Sequence, residues 1–124
     1  TLASIRLRES ADAIEFSHET PTWGRVDIVA ETTELGVYCL NIAPKQTLPL
    51  HHHKVMFESE YIMDDGLALI TLKQEPRPVT VGETFTWPHG LVHGYRNMSD
   101  RWCRVLCIDS PPFIPEDEVL WSTK

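Results

Sequence analysis

The sequence contains little of what membrane-spanning and nucleic-acid-binding proteins need. No apolar run approaches the ~20 residues that a helix requires to cross a bilayer, so we expect no membrane partner. Basic residues are few: 11 Lys and Arg stand against 18 Asp and Glu, for a formal net charge of -7, and no basic cluster interrupts this balance. A negative domain repels a phosphate backbone, so we expect no nucleic-acid partner either.

Cysteine is also scarce. The three cysteines, Cys39, Cys103 and Cys107, are an odd number, and the chain shows no apolar leader segment. This pattern favours reduced thiols, so we expect a cytoplasmic protein. The composition, 42% hydrophobic and 23% charged, is that of an ordinary globular protein. The 124 residues therefore predict one domain, spanning 1–124.

Long amphipathic helices are missing as well, and short strands take their place. Segments rich in β-branched and aromatic residues alternate with Gly, Pro, Asn and Asp turns, which indicates an all-β antiparallel sandwich or barrel. Asp64-Asp65-Gly66 predicts a hairpin turn, and an acidic first turn predicts a short helix over 116–121. We predict strands at 25–30, 36–42, 48–53, 59–63, 67–72, 83–87, 93–97 and 101–109, with candidate edge strands at 4–8 and 13–16.

Three consecutive histidines, His51, His52 and His53, carry the strongest chemical signal. Residues two apart on a strand share a face, so His51 and His53 point one way and His52 points the other. Two imidazoles on an inward face can chelate one ion, although a solvated loop would also explain the run. Glu58 and His93 favour the metal interpretation, because imidazole with carboxylate suits Mn, Fe, Ni, Zn or Cu. We therefore predict one divalent transition metal.

Two motifs in this region resemble those of a known family. The segment 82–97 matches G-x5-P-x-G-x2-H-x3-N at Gly82, Pro88, Gly90, His93 and Asn97, and the segment 45–66 contains H-x-H-x4-E at His51, His53 and Glu58. With these motifs the chain resembles a small single-domain cupin. The resemblance implies a six- to eight-stranded antiparallel jelly-roll β-barrel, commonly dimeric, with a metal inside its mouth. It also implies His51, His53, Glu58 and His93 as the metal ligands.

The first motif departs from the family pattern at two places. Lys45 stands where the family has a glycine, and seven residues rather than six separate Glu58 from Gly66. Glu60 has the same strand parity as Glu58, so it remains an alternative carboxylate ligand. By its place in the motif, Asn97 is expected to brace a turn, and His89 to lie at the rim of the barrel.

A second, weaker similarity concerns residues 20–24, which read Thr-Pro-Thr-Trp-Gly and precede the histidine run. The pattern is similar to that of the cupin domain of mannose-6-phosphate isomerases, in which Pro-Trp-Gly precedes a strand and a His-rich stretch supplies metal ligands. Here Thr22 is inserted between Pro21 and Trp23. The similarity implies a carbohydrate or polar carbonyl substrate.

A ligand set of this size leaves coordination positions open, which is typical of a catalytic metal. We expect an enzyme that acts on a small oxygenated substrate by isomerase or lyase chemistry. Glu60 and Tyr95 share strand parity with Glu58 and His93 and are candidate catalytic acid–base residues, although ordinary barrel-lining hydrogen bonds would also explain them. An Fe(II)-dependent dioxygenase and a non-catalytic small-ligand-binding module are the alternatives. We expect a homodimer, with residues 110–121 covering a barrel edge or the partner.

Overall fold

Strands make up the regular structure throughout the described part of the chain. The computed structural model describes residues 16–88, 90–112 and 118–120. The strands are β1 (Ser17–Glu19), β2 (Gly24–Glu31), β3 (Gly36–Ile42), β4 (Thr47–His53), β5 (Phe57–Ile62), β6 (Leu67–Ile70), β7 (Arg77–Pro78), β8 (Thr84–Trp87), β9 (His93–Asn97), β10 (Cys103–Ser110) and β11 (Glu118–Leu120). The eight main strand predictions are confirmed to within a few residues. None of the described elements is a helix long and apolar enough to span a membrane.

The strands form two antiparallel sheets. The first sheet has the order β1-β2-β3-β10-β5-β8, and the second sheet has the order β11-β4-β9-β6-β7. Along the described strands the chain crosses between the sheets seven times: after β3, β4, β5, β7, β8, β9 and β10. This exchange between two sheets is the predicted jelly-roll architecture. The described residues form eleven strands, whereas the resemblance implied six to eight.

The hairpin predicted at Asp64-Asp65-Gly66 is wrong. The strands on either side of this turn, β5 and β6, lie in different sheets and do not pair with each other. The Asp64 carboxylate instead accepts bonds from the backbone amide and the guanidinium of Arg104, at 2.9 and 2.8 Å. These bonds anchor the turn to β10. An Asp-Gly pair with a positive φ at glycine serves a sheet-to-sheet corner as well as a hairpin, so the local sequence does not distinguish them.

The prediction of a C-terminal helix is also wrong for the residues of that segment that the structure describes. Residues 118–120, inside the predicted helix 116–121, form β11, which pairs with the histidine strand β4. The open edge of a strand exposes unpaired backbone amides and carbonyls. By pairing with β4, β11 provides hydrogen-bond partners for these groups on the edge of β4. The candidate strand 4–8 lies outside the described residues, as does most of 13–16. Phe16 belongs to no strand, and β1 begins at the next residue, Ser17.

The hydrophobic core lies between the two sheets. Alternate residues of β10 are buried, with Cys103, Val105 and Cys107 pointing inward. Cys103 and Val105 pack in one cluster with side chains from both sheets, which include Ile42, Leu48, Ile62, Leu67, Trp87 and Tyr95. Each large side chain removed from water in this way contributes about 1.5–3 kcal/mol before entropic costs. Glu58 and Glu60 occupy inward positions of β5, so the same alternation directs two carboxylates into this interior.

Candidate metal centre

Three histidines and a glutamate meet between the sheets. His51 and His53 lie on β4, His93 begins β9, and Glu58 comes from β5 in the opposite sheet. His51 and His93 are direct cross-strand partners. Each of the four residues is at most 5% exposed. The structure therefore brings together the four residues that the family resemblance implied as ligands. His52 lies on the other face of β4 and is half-buried.

A β-bulge helps to position the first histidine. The register of β4 against β9 shifts between Leu48 and His51, where the two strands approach closely. The approach depends on Gly94, because a Cβ at this position would lie 2.6 Å from the carbonyl oxygen of Leu48. Glycine next to His93 therefore lets β4 approach β9 closely enough to bring His51 beside His93, among the other candidate ligands.

The potential ligand atoms converge on Glu58. The Nε2 atoms of His51 and His93 each lie 4.0 Å from its Oε1, and Nε2 of His53 is in direct contact with the same oxygen. His51, His53 and Glu58 each offer a ligand atom within 4.8 Å of the others. Imidazole nitrogens and a carboxylate oxygen suit a first-row divalent metal.

Backbone carbonyls determine which ring nitrogen is available. The Nδ1 atoms of His51 and His93 lie 2.8 and 2.9 Å from the carbonyl oxygens of Pro49 and Leu91. A carbonyl oxygen only accepts, so each Nδ1 carries the hydrogen and each Nε2 keeps its lone pair. Metal-binding histidines commonly have this arrangement, because the Nδ1 bond fixes both tautomer and ring orientation.

His93 provides the clearest test of whether a metal fits. Its Nε2 atom has no hydrogen-bond partner among the described residues, although the residue is only 1% exposed. Leaving a buried polar atom unpaired costs free energy, and a bound cation would satisfy it. The ring stacks on Trp87 at 4.4 Å with 7° between the planes, which restrains its orientation. The residues present fit a divalent metal.

The protonation states of His93 and Glu58 are consistent with this interpretation. Burial lowers the pKa of His93 to about 4, and the neighbouring His51 adds to the effect, so the ring is neutral at pH 7. Burial alone would raise the pKa of Glu58, but its bond with His53 holds that pKa at about 2. A metal binds the neutral form of imidazole and the charged form of a carboxyl group.

Glu60 lies deeper than Glu58, in a network of its own. Its Oε1 accepts hydrogen bonds from the Nε1 atom of Trp87 at 2.5 Å and from the Tyr95 hydroxyl at 2.7 Å. Burial raises the pKa of Glu60 well above its usual value, and the charge of Glu58 adds to this. Glu60 and Tyr95 thus bind each other, and neither is among the residues that line the cavity described next.

A cavity of about 330 Å³ opens beside the candidate ligands and is lined by His51, His53 and Glu58. Its volume is at the lower end of the range for small-molecule sites. The apolar and aromatic part of the wall consists of Pro21, Trp23, Val26, Ile28, Tyr38, Leu40 and Leu48. Its polar part includes Glu19, Glu31, Cys107, Asp109 and Glu118. The site can therefore combine a metal with a substrate-sized space.

Asp109 is a cavity residue that the sequence analysis missed. It is 3% exposed and lies opposite Glu58 in the β5–β10 ladder. The Cys107 thiol lies within hydrogen-bond distance of both carboxyl groups, at 3.0 Å from Glu58 and 3.1 Å from Asp109, and can donate its one hydrogen to either. Burial raises the pKa of Asp109 to about 7, and the charge of Glu58 adds to the effect. Strand parity with Cys103 and Cys107 was the available signal.

Asn97 braces a turn, as its place in the motif led us to expect. Its side-chain amide donates to the carbonyl oxygens of Ile42 and Arg101, at 3.0 and 2.7 Å, and its Oδ1 accepts from the backbone amide of Ser99 at 2.9 Å. Asn97 therefore ties the end of β9 to the segments after β3 and before β10. His89, which was expected at the rim, lies outside the described residues.

Comparison with known proteins agrees with the motifs and the fold. The model of the family described as Cupin domain matches residues 39–109. Mannose-1-phosphate guanylyltransferase 2 of Escherichia coli O157:H7 is 22% identical over 118 residues, which cover 94% of this chain but 24% of that protein. The chain thus spans about a quarter of this curated relative.

Solved structures of other proteins share the fold. KdgF from a Halomonas species superimposes with a TM-score of 0.69 at 21% identity, covering 78% of this chain and 89% of KdgF. A sugar phosphate isomerase of the cupin superfamily, from Silicibacter pomeroyi, superimposes with a TM-score of 0.62 at 19% identity, covering 69% of this chain and 58% of the isomerase. At these identities the likeness establishes the fold and leaves the reaction open.

Proposed function

Because this chain belongs to the Cupin domain family, we propose that its barrel binds one divalent metal and catalyses a reaction of a small oxygenated molecule. The observation that carries the proposal is the convergence of His51 and His93 on Glu58, each with Nδ1 bonded to a carbonyl and Nε2 turned toward the carboxylate. A cavity of about 330 Å³ adjoins these atoms. A purely structural site would not need that space.

His51, His53, Glu58 and His93 are the proposed ligands. With these four in place, a metal of ordinary coordination number keeps positions open. When bound, it would supply Lewis-acid chemistry that polarises a substrate carbonyl or hydroxyl group. Glu58 is better placed than Glu60 to be the carboxylate ligand, because Glu58 contacts His53 and faces His51 and His93. Glu60 is instead held by hydrogen bonds from Trp87 and Tyr95.

The chain's own residues have distinct roles in this proposal. Asp109 lines the cavity beside Glu58, so it is placed to orient a substrate hydroxyl group. The acid–base role of Glu60 and Tyr95 stays a prediction. Their mutual hydrogen bond and their position outside the cavity lining favour an indirect contribution, in which they hold Glu58 and the core around it in place.

Isomerase or lyase chemistry remains the favoured reaction class. The sugar phosphate isomerase with the same fold supports it, although fold similarity alone does not transfer a reaction. The proposed location is the cytoplasm, which the three free cysteines support. A homodimer is the proposed assembly.

Elemental analysis of the purified protein, free of any added tag, tests the metal part of the proposal. We expect one equivalent of a first-row metal in the parent and none in the His51→Ala/His93→Ala double variant. His18→Ala is the control, because His18 is exposed on β1. A parent that stays metal-free after exposure to Fe, Mn, Ni and Zn would contradict the proposal and favour the binding-module alternative.

Hydrogen exchange in D₂O tests the reaction class. The metal-loaded protein is incubated with D-mannose and dihydroxyacetone, and exchange of the hydrogen next to the carbonyl is followed by NMR. Exchange that the double variant does not catalyse supports isomerase or lyase chemistry. Oxygen consumption by the Fe(II)-loaded protein, without exchange, would favour the dioxygenase alternative.

A further inference from the structure

Trp87 lies against two proposed metal ligands that come from different sheets. It ends β8, in the first sheet, and its side chain is buried. In the β5–β8 ladder it lies directly opposite Glu58, the proposed carboxylate ligand. Its ring stacks on His93, a proposed ligand from the second sheet. A residue that is not itself a ligand therefore contacts the metal centre from both sides.

The stack restrains a motion of His93 that a single hydrogen bond leaves free. Nδ1 of His93 lies 2.9 Å from the carbonyl oxygen of Leu91, and this contact fixes one atom of the ring. It does not fix the tilt of the ring plane. The indole of Trp87 lies 4.4 Å away with 7° between the planes, and it does fix the tilt. Because the lone pair of Nε2 lies in the ring plane, the tilt determines where that lone pair points.

The indole is itself held in place. Its Nε1 atom donates to Oε1 of Glu60 at 2.5 Å, and the same oxygen accepts from the Tyr95 hydroxyl at 2.7 Å. The Phe85 ring also stacks on the indole, with centroids 5.5 Å apart and 14° between the planes. A side chain bonded through its nitrogen and packed on its ring has little freedom to turn. It therefore presents a fixed surface to His93.

The family motifs do not specify this residue. In G-x5-P-x-G-x2-H-x3-N, position 87 is the unspecified position directly before Pro88. The contact of Trp87 with His93 also joins the two sheets, so no strand pattern in the sequence predicts it.

We propose that Trp87 is a positioning residue of the candidate metal centre, whose ring fixes the plane of His93 so that Nε2 points toward the metal. Glu60 and Phe85 hold the indole in place for this role. The inference rests on the proposed function, since it takes His93 as a metal ligand. It makes metal affinity depend on a side chain that does not bind the metal.

Calorimetric titration of the metal-free protein with Co²⁺ at pH 7 tests the assignment. Loss of a residue that orients a metal-binding histidine commonly lowers affinity roughly 10–100-fold, so Trp87→Leu should raise the Kd for Co²⁺ about tenfold or more. Trp87→Phe keeps a ring that can stack on His93, and its Kd should stay within about threefold of the parent value. Trp87→Met also lacks a ring but fills more of the space, and it carries the same prediction if Trp87→Leu does not fold.

Leu67→Ala is the control for lost core packing. Leu67 is buried in the same hydrophobic cluster as Trp87. It pairs with Asn97, four residues along β9 from His93. The variant should lose stability, as large-to-small core substitutions do, but its Kd for Co²⁺ should match that of the parent. Urea unfolding of the same samples separates stability from metal affinity.

The absorption spectrum of bound Co²⁺ gives a readout that a change in stability alone does not move. Its visible bands depend on the number and arrangement of the ligands. At saturating Co²⁺, the bands of Trp87→Leu should differ from those of the parent. The bands of Trp87→Phe and Leu67→Ala should coincide with the parent bands.

Three results would overturn the assignment in a parent that binds Co²⁺. The first is a parent-like Kd in the variants without a ring. The second is a Trp87→Phe variant as weak as Trp87→Leu, which would place the effect in the lost N–H bond. The third is an equal rise in Kd for Leu67→Ala, which would make the effect one of general packing. Each refutes the positioning role alone, whereas a parent that binds no metal refutes the proposed function and this role together.

Discussion

Gly94 and Leu48 approach each other so closely that a Cβ on the glycine would lie 2.6 Å from the leucine carbonyl oxygen. This contact lies in the bulged part of the β4–β9 pairing, next to the position where His51 and His93 pair across the strands. The geometry of the candidate metal centre therefore depends on a residue that has no side chain.

Gly94→Ala should consequently weaken metal binding. The added methyl group pushes β4 away from β9 and displaces His51 relative to His93. We expect a loss of about 1–3 kcal/mol in the free energy of unfolding, as for overpacked cores, together with a metal content well below one equivalent. Urea unfolding and elemental analysis measure the two effects. Arg96→Ala, an exposed position on the same strand, serves as control. Full metal occupancy in Gly94→Ala would show that the bulge does not position His51.

Tyr95→Phe should destabilise the protein without removing the metal. The hydroxyl donates at 2.7 Å to Glu60, which is 2% exposed, so the variant leaves a buried carboxyl group with one donor fewer. The expected cost is about 1–3 kcal/mol, by urea unfolding. Tyr61→Phe is the control, because Tyr61 lies on the same strand as Glu60 but is 42% exposed. If the two variants lose equal stability, the buried bond contributes nothing measurable.

Asp64 should contribute a small acid-dependent part of the stability. Hydrogen bonds from Arg104 lower the pKa of Asp64 in the folded protein. The contribution is therefore present above the unfolded pKa of about 3.9 and is lost as the pH falls through the lower folded value. Because the Asp64 side chain is 29% exposed, this contribution to the free energy of unfolding should be at most about 1 kcal/mol.

Urea unfolding between pH 2 and 7 measures this effect. The difference in free energy of unfolding between the parent and Asp64→Asn should shrink as the pH falls below 4. Asp100→Asn removes the same charge from a side chain that is 94% exposed, and it should have little effect at any pH. A difference for Asp64→Asn that is constant with pH would refute the linkage.

The proposed dimer makes a prediction about the outer face of the first sheet. Apolar side chains there are exposed next to one another: Ile108 is 39%, Tyr61 is 42% and Phe57 is 46% exposed. Burial of such a patch is a common basis for association. We expect light scattering at micromolar concentration to give a dimer for the parent and a monomer for Ile108→Glu.

The control for the dimer is Met98→Glu, which introduces the same charge at a residue 57% exposed in a turn. It should remain dimeric. A parent that is monomeric at these concentrations would refute the assembly, and a dimeric Ile108→Glu would place the interface elsewhere.

The candidate histidine ligands were predictable because both signals are local. Strand parity placed His51 and His53 on one face, and the turn residues around His93 identified the second motif. The cavity wall was not predictable in this way. Asp109 and Glu31 reach it from β10 and β2, and only the order of the strands in the first sheet places them in a row with Glu58.

By itself, the sequence determined where the eight main strands run and that His51 and His53 point to the same side of their strand. These properties follow from alternation and turn chemistry over a few residues. The tertiary structure decided which strands pair, that Asp64-Asp65-Gly66 joins two sheets, and that Glu118–Leu120 is a strand. Pairing depends on contacts between residues far apart in the chain, and a short segment carries the same local signal whichever partner it finds.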